Sequence, residues 1–183
     1  MSIEIETRFL EIDKQELISK LKTFNAIDNG EVRLDEIIFY DKDLTWMNEN
    51  KFVRLRKKNK NIKLTFKSNK EQKVDSAKEI EFDISGIEDA RLFLEAIGLV
   101  QYRIVEKYRH TFRLGNVTLD IDTWPKIPVY VELEGDSVEE LKKVADMLGF
   151  DWGNRFDADA RYVFKKYGFD FDNIKTITFD VFK

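Results

Sequence analysis

Charged side chains recur at alternate positions in a series of short stretches of this 183-residue sequence: Glu4, Glu6 and Arg8; Arg54 and Arg56; Lys63 and Lys67; Glu79 and Glu81; Lys107 and Arg109; Asp120 and Asp122; Glu132 and Glu134. A period of two puts each set on one face of a β-strand. The carboxylates are the chemistry-bearing groups of one kind. With no cysteine and a single histidine in the chain, they form oxygen-only donor sets, which suit hard divalent cations, Mg²⁺ or Mn²⁺ better than zinc. The cations are the other kind. Arg54, Arg56, Lys63, Lys67, Lys107 and Arg109 carry more positive charge than one phosphate needs, and arginine forks match phosphate oxygens in pairs. A polyphosphate is the natural guest. A cation on phosphoryl oxygens, with basic groups around it, favours in-line phosphoryl displacement, a reaction that asks mainly for positioning and charge. A carboxylate not committed to metal would orient or deprotonate the nucleophile.

The elements that must position these residues are strands near Ile3 to Ile12, Glu31 to Asp41, Phe52 to Lys58, Asn61 to Ser68, Lys78 to Ile84, Gln101 to Arg113, Val117 to Trp124 and Val129 to Glu134. Amphipathic helices are predicted at Asp13 to Phe24, Ile87 to Ile97, Ser137 to Leu148 and about Asp157 to Tyr167; the third opens with the capping box Ser137-Val-Glu-Glu140 and ends before Gly149. Opposite the charges the strands are apolar, for example Val53 and Leu55, Ile80 and Phe82, Leu119 and Ile121. These faces supply partners for helix stripes such as Leu17, Ile18 and Leu21 or Leu141, Val144 and Leu148. With helices outside, the charged faces line the inside, and about eight strands suffice for closure. The expected fold is α+β: a closed eight-stranded antiparallel β-barrel, a tunnel with a charged interior and helices packed outside. An open sheet with one solvated face satisfies the same alternation. The segregation of sign by strand favours the tunnel, because surface faces are usually mixed.

Length and the absence of a Pro/Gly/Ser-rich linker argue for one domain over residues 1–183. A net charge of -4 speaks against a nucleic-acid partner, and no apolar run approaches the roughly 20 residues needed to span a bilayer. No secretory signal follows Met1, and the lack of cysteine is compatible with a reducing compartment, so a cytoplasmic location is expected. His110 has the wrong parity to join Lys107 and Arg109 and is expected under a helix or at the surface. Trp46, Trp124 and Trp152 read as core or rim packing, and Lys57, Lys58 and Lys60 as a solvated hairpin turn.

The ordered motifs Glu4-Ile-Glu6-Thr-Arg8, Arg54-Leu-Arg56, Lys63-Leu-Thr-Phe-Lys67, Glu79-Ile-Glu81, Lys107-Tyr-Arg109, Asp120-Ile-Asp122 and Glu132-Leu-Glu134 resemble those of the CYTH family, the triphosphate tunnel metalloenzymes. That family includes class IV adenylate cyclases, thiamine triphosphatases and inorganic triphosphatases. The resemblance implies an eight-stranded tunnel, divalent-metal dependence and a triphosphate-bearing small molecule as substrate; a homodimer would be unsurprising. By motif, Glu4, Glu6, Glu132 and Glu134 look like metal-site carboxylates, with Glu79, Glu81, Asp120 and Asp122 as further ligands or water-orienting groups. Glu4, Glu6 and Arg8 hold the catalytic positions, and Arg54, Arg56, Lys63, Lys67, Lys107 and Arg109 those of triphosphate binders. The family's opening motif ordinarily ends in Lys; Arg8 holds phosphate as well but is a poor proton donor. Lys165 and Lys166 stand near a tunnel mouth or at a solvated helix end. The activities in play are a metal-dependent triphosphatase, a class IV adenylate cyclase converting ATP to cyclic AMP and pyrophosphate, and a non-catalytic polyphosphate-binding module.

Overall fold

The computed structural model describes residues 5–68 and 78–183; Ile3 and Glu4 lie outside the described residues. The strands are β1 Ile5–Phe9, β2 Ile27–Asp41, β3 Lys51–Lys58, β4 Asn61–Ser68, β5 Lys78–Ile84, β6 Leu99–Leu114, β7 Val117–Thr123, β8 Tyr130–Gly135 and β9 Thr176–Ile177. The helices are α1 Lys14–Thr23, α2 Thr45–Asn48, α3 Ile87–Ala96, α4 Val138–Leu148 and α5 Ala160–Lys166. Alternation therefore located every expected strand, although β2 and β6 begin earlier than predicted. The single turn α2 and the two-residue β9 are too short to leave a periodic signal.

Chain contacts gather into two compact units, one of residues 33–107 and 174–183, the other of residues 2–32 and 108–173. In the first, β2, β3, β4 and β5 pair antiparallel in sequence order, and β9 runs parallel beside β6. Its core holds Phe39, Val53, Leu55, Leu94 and Leu99. Of α3 only Leu94 is buried; Ile84 at the end of β5 packs against this core with Ile87 and Ala90 of α3, but Ile80 and Phe82 remain 52% and 53% exposed. The expected burial of that face occurs only at Ile84.

In the second unit β6 pairs with β7, β7 with β8 and β8 with β1, all antiparallel. Here the apolar strand face packs as predicted: Leu17 and Leu21 of α1 and Leu141, Val144, Ala145 and Leu148 of α4 join Leu119, Ile121, Val131 and Leu133. Each such leucine contributes about 1.5–3 kcal/mol of burial. Local chemistry sets the helix ends. Asp13 accepts from the amides of Gln15 and Glu16, Ser137 accepts from the amide of Glu140, and Gly149 takes the left-handed φ of 82° that closes α4. The last helix starts at Ala160 rather than Asp157 because Asp159 caps it and Phe156 is hydrogen-bonded to Arg8 of β1 in both directions, at 3.1 and 2.8 Å.

That last contact bears on closure. The hydrogen-bonded strand order β1-β8-β7-β6-β2-β3-β4-β5 has two ends, and the outer edge of β1 is taken by Phe156. Among the described residues no ladder joins β5 to β1, so the architecture is an antiparallel α+β sheet that hydrogen bonds do not close into a barrel.

Candidate functional site

In the unit of residues 33–107, strand register stacks the charges in rows. Glu36 faces Arg56; Arg56 faces Lys63 and Arg54 faces Thr65; Lys63, Thr65 and Lys67 face Asp83, Glu81 and Glu79. Cations thus occupy the middle strands β3 and β4, with carboxylates on β2 and β5 to either side. Arg56 Nε donates to Glu36 at 2.6 Å. Lys63 donates to Glu81 at 2.5 Å, Thr65 donates to the same carboxylate at 2.8 Å, and Glu79 lies 3.4 Å from Lys67 and 3.8 Å from Arg54. Burial alone would push the Glu36 carboxyl up, but Arg56, Arg54 and Lys107 outweigh it and bring it down to about 2. Lys107 is buried and belongs electrostatically to this group. Lys63, by contrast, keeps 46% of its side chain exposed, so the face opens to solvent toward β4 and β5.

The unit of residues 2–32 and 108–173 inverts the pattern. On β7 and β8 the residues of one face are Asp120 and Asp122, Glu132 and Glu134, with Asp120 opposite Glu132 and Asp122 opposite Tyr130. Guanidinium groups flank them: Arg109 on β6 faces Asp122, and Arg8 on β1 faces Glu132 while Glu6 faces Glu134. Arg109 clamps Asp122 through Nε and Nη2, both at 2.7 Å, and also meets Asp120 and, at 3.5 Å, Glu132. Arg8 pairs with Glu6 and Glu132 and donates to the Ala158 carbonyl at 2.8 Å. Burial pushes the Arg8 guanidinium down, and Glu132 and Glu6 more than reverse this, so it is held protonated. Burial also raises the Asp120 carboxyl, against Arg109 and the Thr111 hydroxyl; nearby Glu132 and Asp122 add to the rise. Tyr130, wholly buried, accepts from Trp124 Nε1 at 2.8 Å, and burial beside Asp122 raises its hydroxyl.

The predicted residues therefore divide in a way their types alone do not show. Glu79 and Glu81 sit among the cations, as partners of Lys67, Arg54 and Lys63, and not with the other acids. Arg109 sits among the acids, and not with the other cations. Asp122 is completely buried with both oxygens on Arg109, which makes it an anchor for that arginine. Arg8 is an internal counter-ion; its Nε is buried and has no hydrogen-bond partner among the described residues. Sequence reasoning missed Glu36, Thr65, Thr111 and Tyr130. Glu36 is flanked on its face by Leu34 and Ile38, so it shows no alternating charge, and only the register with Arg56 reveals it. His110 lies apart, bonded to Asp28 at 2.7 Å and stacked on Phe112. Lys165 and Lys166 form the exposed last turn of α5, and no helix among the described residues is long and apolar enough to cross a membrane.

Fold and charge together define an antiparallel α+β protein that presents strand faces of opposite sign. A family model for the CYTH domain matches residues 2–151, and the chain belongs to the CYTH family. A Pyrococcus furiosus protein is similar in structure at 25% identity and a TM-score of 0.71, over 87% of this chain and 99% of that one. A candidate adenylate cyclase from Vibrio parahaemolyticus is similar at 14% identity and a TM-score of 0.75, over 90% and 98%. A candidate adenylyl cyclase from Hippeastrum, with a dominant triphosphatase activity, is similar at 15% identity and a TM-score of 0.66, over 92% and 97%. The likeness to these last two concerns the fold. None of the curated proteins matches the chain significantly.

Proposed function

We propose that this protein is a divalent-metal-dependent phosphohydrolase that cleaves the terminal phosphate of a triphosphate substrate. The observation that carries the reading is the pair of inverted charge patterns, one with cations on its middle strands and one with carboxylates. Arg54, Arg56, Lys63, Lys67 and Lys107 would bind the polyphosphate, and removing any arginine of this set removes a paired phosphate contact that lysine does not replace.

The acidic face fits a hard divalent cation in the chemistry of its donors. Glu6 lies opposite Glu134 and Asp120 opposite Glu132, so carboxylate oxygens, the donors such an ion prefers, are neighbours on adjacent strands. In the present pairing Arg8 and Arg109 neutralise these groups, and no three acidic side chains among the described residues form a cation site. A cation would therefore take Glu6, Glu132 and Glu134 in competition with Arg8. Bound Mg²⁺ or Mn²⁺ would supply charge neutralisation at the phosphoryl oxygens. The chain's own part is to hold the phosphates with the basic set, and a carboxylate takes the proton of the attacking water. Water's oxygen bonds to the terminal phosphorus, the bridging P–O bond breaks, and the shortened phosphate leaves with the bond's electron pair.

A class IV adenylate cyclase would use the same groups with a ribose hydroxyl as nucleophile, and the candidate cyclases among the structural relatives are the reason to test it. The dominant triphosphatase activity of the Hippeastrum protein supports the hydrolase. Purified protein incubated with tripolyphosphate, thiamine triphosphate or ATP under Mg²⁺ or Mn²⁺ is expected to release phosphate without cyclic AMP. Cyclic AMP with stoichiometric pyrophosphate would replace the hydrolase by the cyclase, and binding without turnover would leave only a polyphosphate-binding module.

A further inference from the structure

We propose that Glu36 positions Arg56 and sets the charge of the polyphosphate-binding face, so that the face releases a diphosphate more readily than it would otherwise; this rests on the triphosphatase reading above. A guanidinium has two hydrogen-bonding edges, one through Nε and one through the terminal nitrogens. Glu36 holds the first, at 2.6 Å. Among the described residues no other carboxylate lies within ion-pair distance of Arg56, so the terminal nitrogens are left for a ligand. The orientation is fixed by cross-strand geometry, since the two residues are opposite each other on β2 and β3.

Burial separates Glu36 from the other carboxylates of this face. Its side chain is 6% exposed, against 26% for Glu79 and 27% for Glu81. Glu79 and Glu81 lie on β5, the end of the hydrogen-bonded order, where water weakens their field. Glu36 lies at the inner side of the cation rows, next to Arg56 and within the field of Arg54 and Lys107. A fixed negative charge there opposes every anion that Arg54 and Arg56 attract. The opposition costs a triphosphate little, because its extra phosphoryl group gains contacts with Lys63 and Lys67. A diphosphate lacks those gains and is bound less firmly.

The test measures tripolyphosphate and pyrophosphate binding by calorimetry without divalent ions, for the wild type, Glu36→Gln and Glu36→Asp. Gln keeps an acceptor for Arg56 Nε and removes the charge; Asp keeps the charge. Glu36→Gln is expected to bind pyrophosphate about tenfold more tightly, to gain less for tripolyphosphate, and to show kcat and KM falling together as product release slows. Glu36→Asp is expected to stay within about twofold of wild type. Should the Gln variant not fold, Glu36→Met, of similar volume and also uncharged, gives the same pyrophosphate readout. Equal pyrophosphate affinity in wild type and the uncharged variant, or weaker binding in the latter, overturns the role of Glu36, as does an Asp variant that behaves like Gln. A wild type that binds no tripolyphosphate overturns the reading of the face itself, and because it is measured first the two failures are distinguishable.

Discussion

The two charged faces are inverse copies in strand order. In the basic unit, cations fill β3 and β4 and carboxylates flank them; in the acidic unit, carboxylates fill β7 and β8 and the arginines Arg109 and Arg8 flank them. Burial differs as much as sign. The ion pairs around Arg109 and Arg8 expose 17% or less of each side chain apart from Glu6, whereas Lys63 exposes 46%. The inner strands therefore set the sign of each face, and the flanking strands set how far its charges are paired within the chain. The acidic face is nearly self-satisfied, and its arginines are expected to act mainly on stability. The basic face is partly open, and its cations are proposed to act mainly on binding.

Arg109→Ala is the strongest way to break this contrast. It leaves Asp120, Asp122 and Glu132 without their shared cation, and chemical denaturation is expected to show a loss of about 3–5 kcal/mol. A loss below about 1 kcal/mol would place Arg109 with the ligand-facing cations after all. Acid unfolding sharpens the other side. The Glu36 carboxyl is lowered from its ordinary 4.5 to about 2, so its contribution is complete above the unfolded value and fades as pH falls from about 4.5 to about 2. On the order of 3 kcal/mol is expected to disappear across that window in the wild type and to be absent from the pH dependence of Glu36→Gln. Arg8→Lys keeps the charge but loses the second donor arm to Ala158 or to a carboxylate; denaturation is expected to show a cost of about 1 kcal/mol. Metal titration of the same variant is expected to show tighter Mn²⁺ binding, since Glu6 and Glu132 are less firmly held. Lys63→Ala is the smallest perturbation, within about 0.5 kcal/mol of wild-type stability, while tripolyphosphate binding weakens measurably.

Alternation made the strands and the charged faces legible, because a strand has only two faces and the charges keep to one. It placed Arg54 with Arg56 and Asp120 with Asp122 correctly, since those pairs share a strand. It did not sort Arg109 from Lys107, two residues apart on β6, because their neighbours come from different strands: Lys107 acts on Glu36 of β2, and Arg109 on Asp122 of β7. Glu36 was hidden by apolar neighbours of the same parity. The partner of the Arg8 Nη1 group lies 150 residues away at Ala158, a separation no local pattern reports. Strand-level reading likewise predicted which faces want helices but not how far each helix reaches, which is why β5 was expected to be packed throughout and is packed at Ile84 but not at Ile80 and Phe82.

The pairing of β1 with Phe156 extends beyond the stretch that matches the family, which ends at residue 151. Thr7 reaches Asp157 at 2.5 Å, Arg8 reaches Ala158, and the backbones of Arg8 and Phe156 exchange two bonds. A fragment trimmed to the family match would lose all of these and bare one rim of its first strand, whose unpaired amides and carbonyls offer a template for other chains. Such a fragment is a candidate for aggregation even though every charged motif named above is present in it, and residues 156–158 are best regarded as the selvedge that keeps the fabric from fraying.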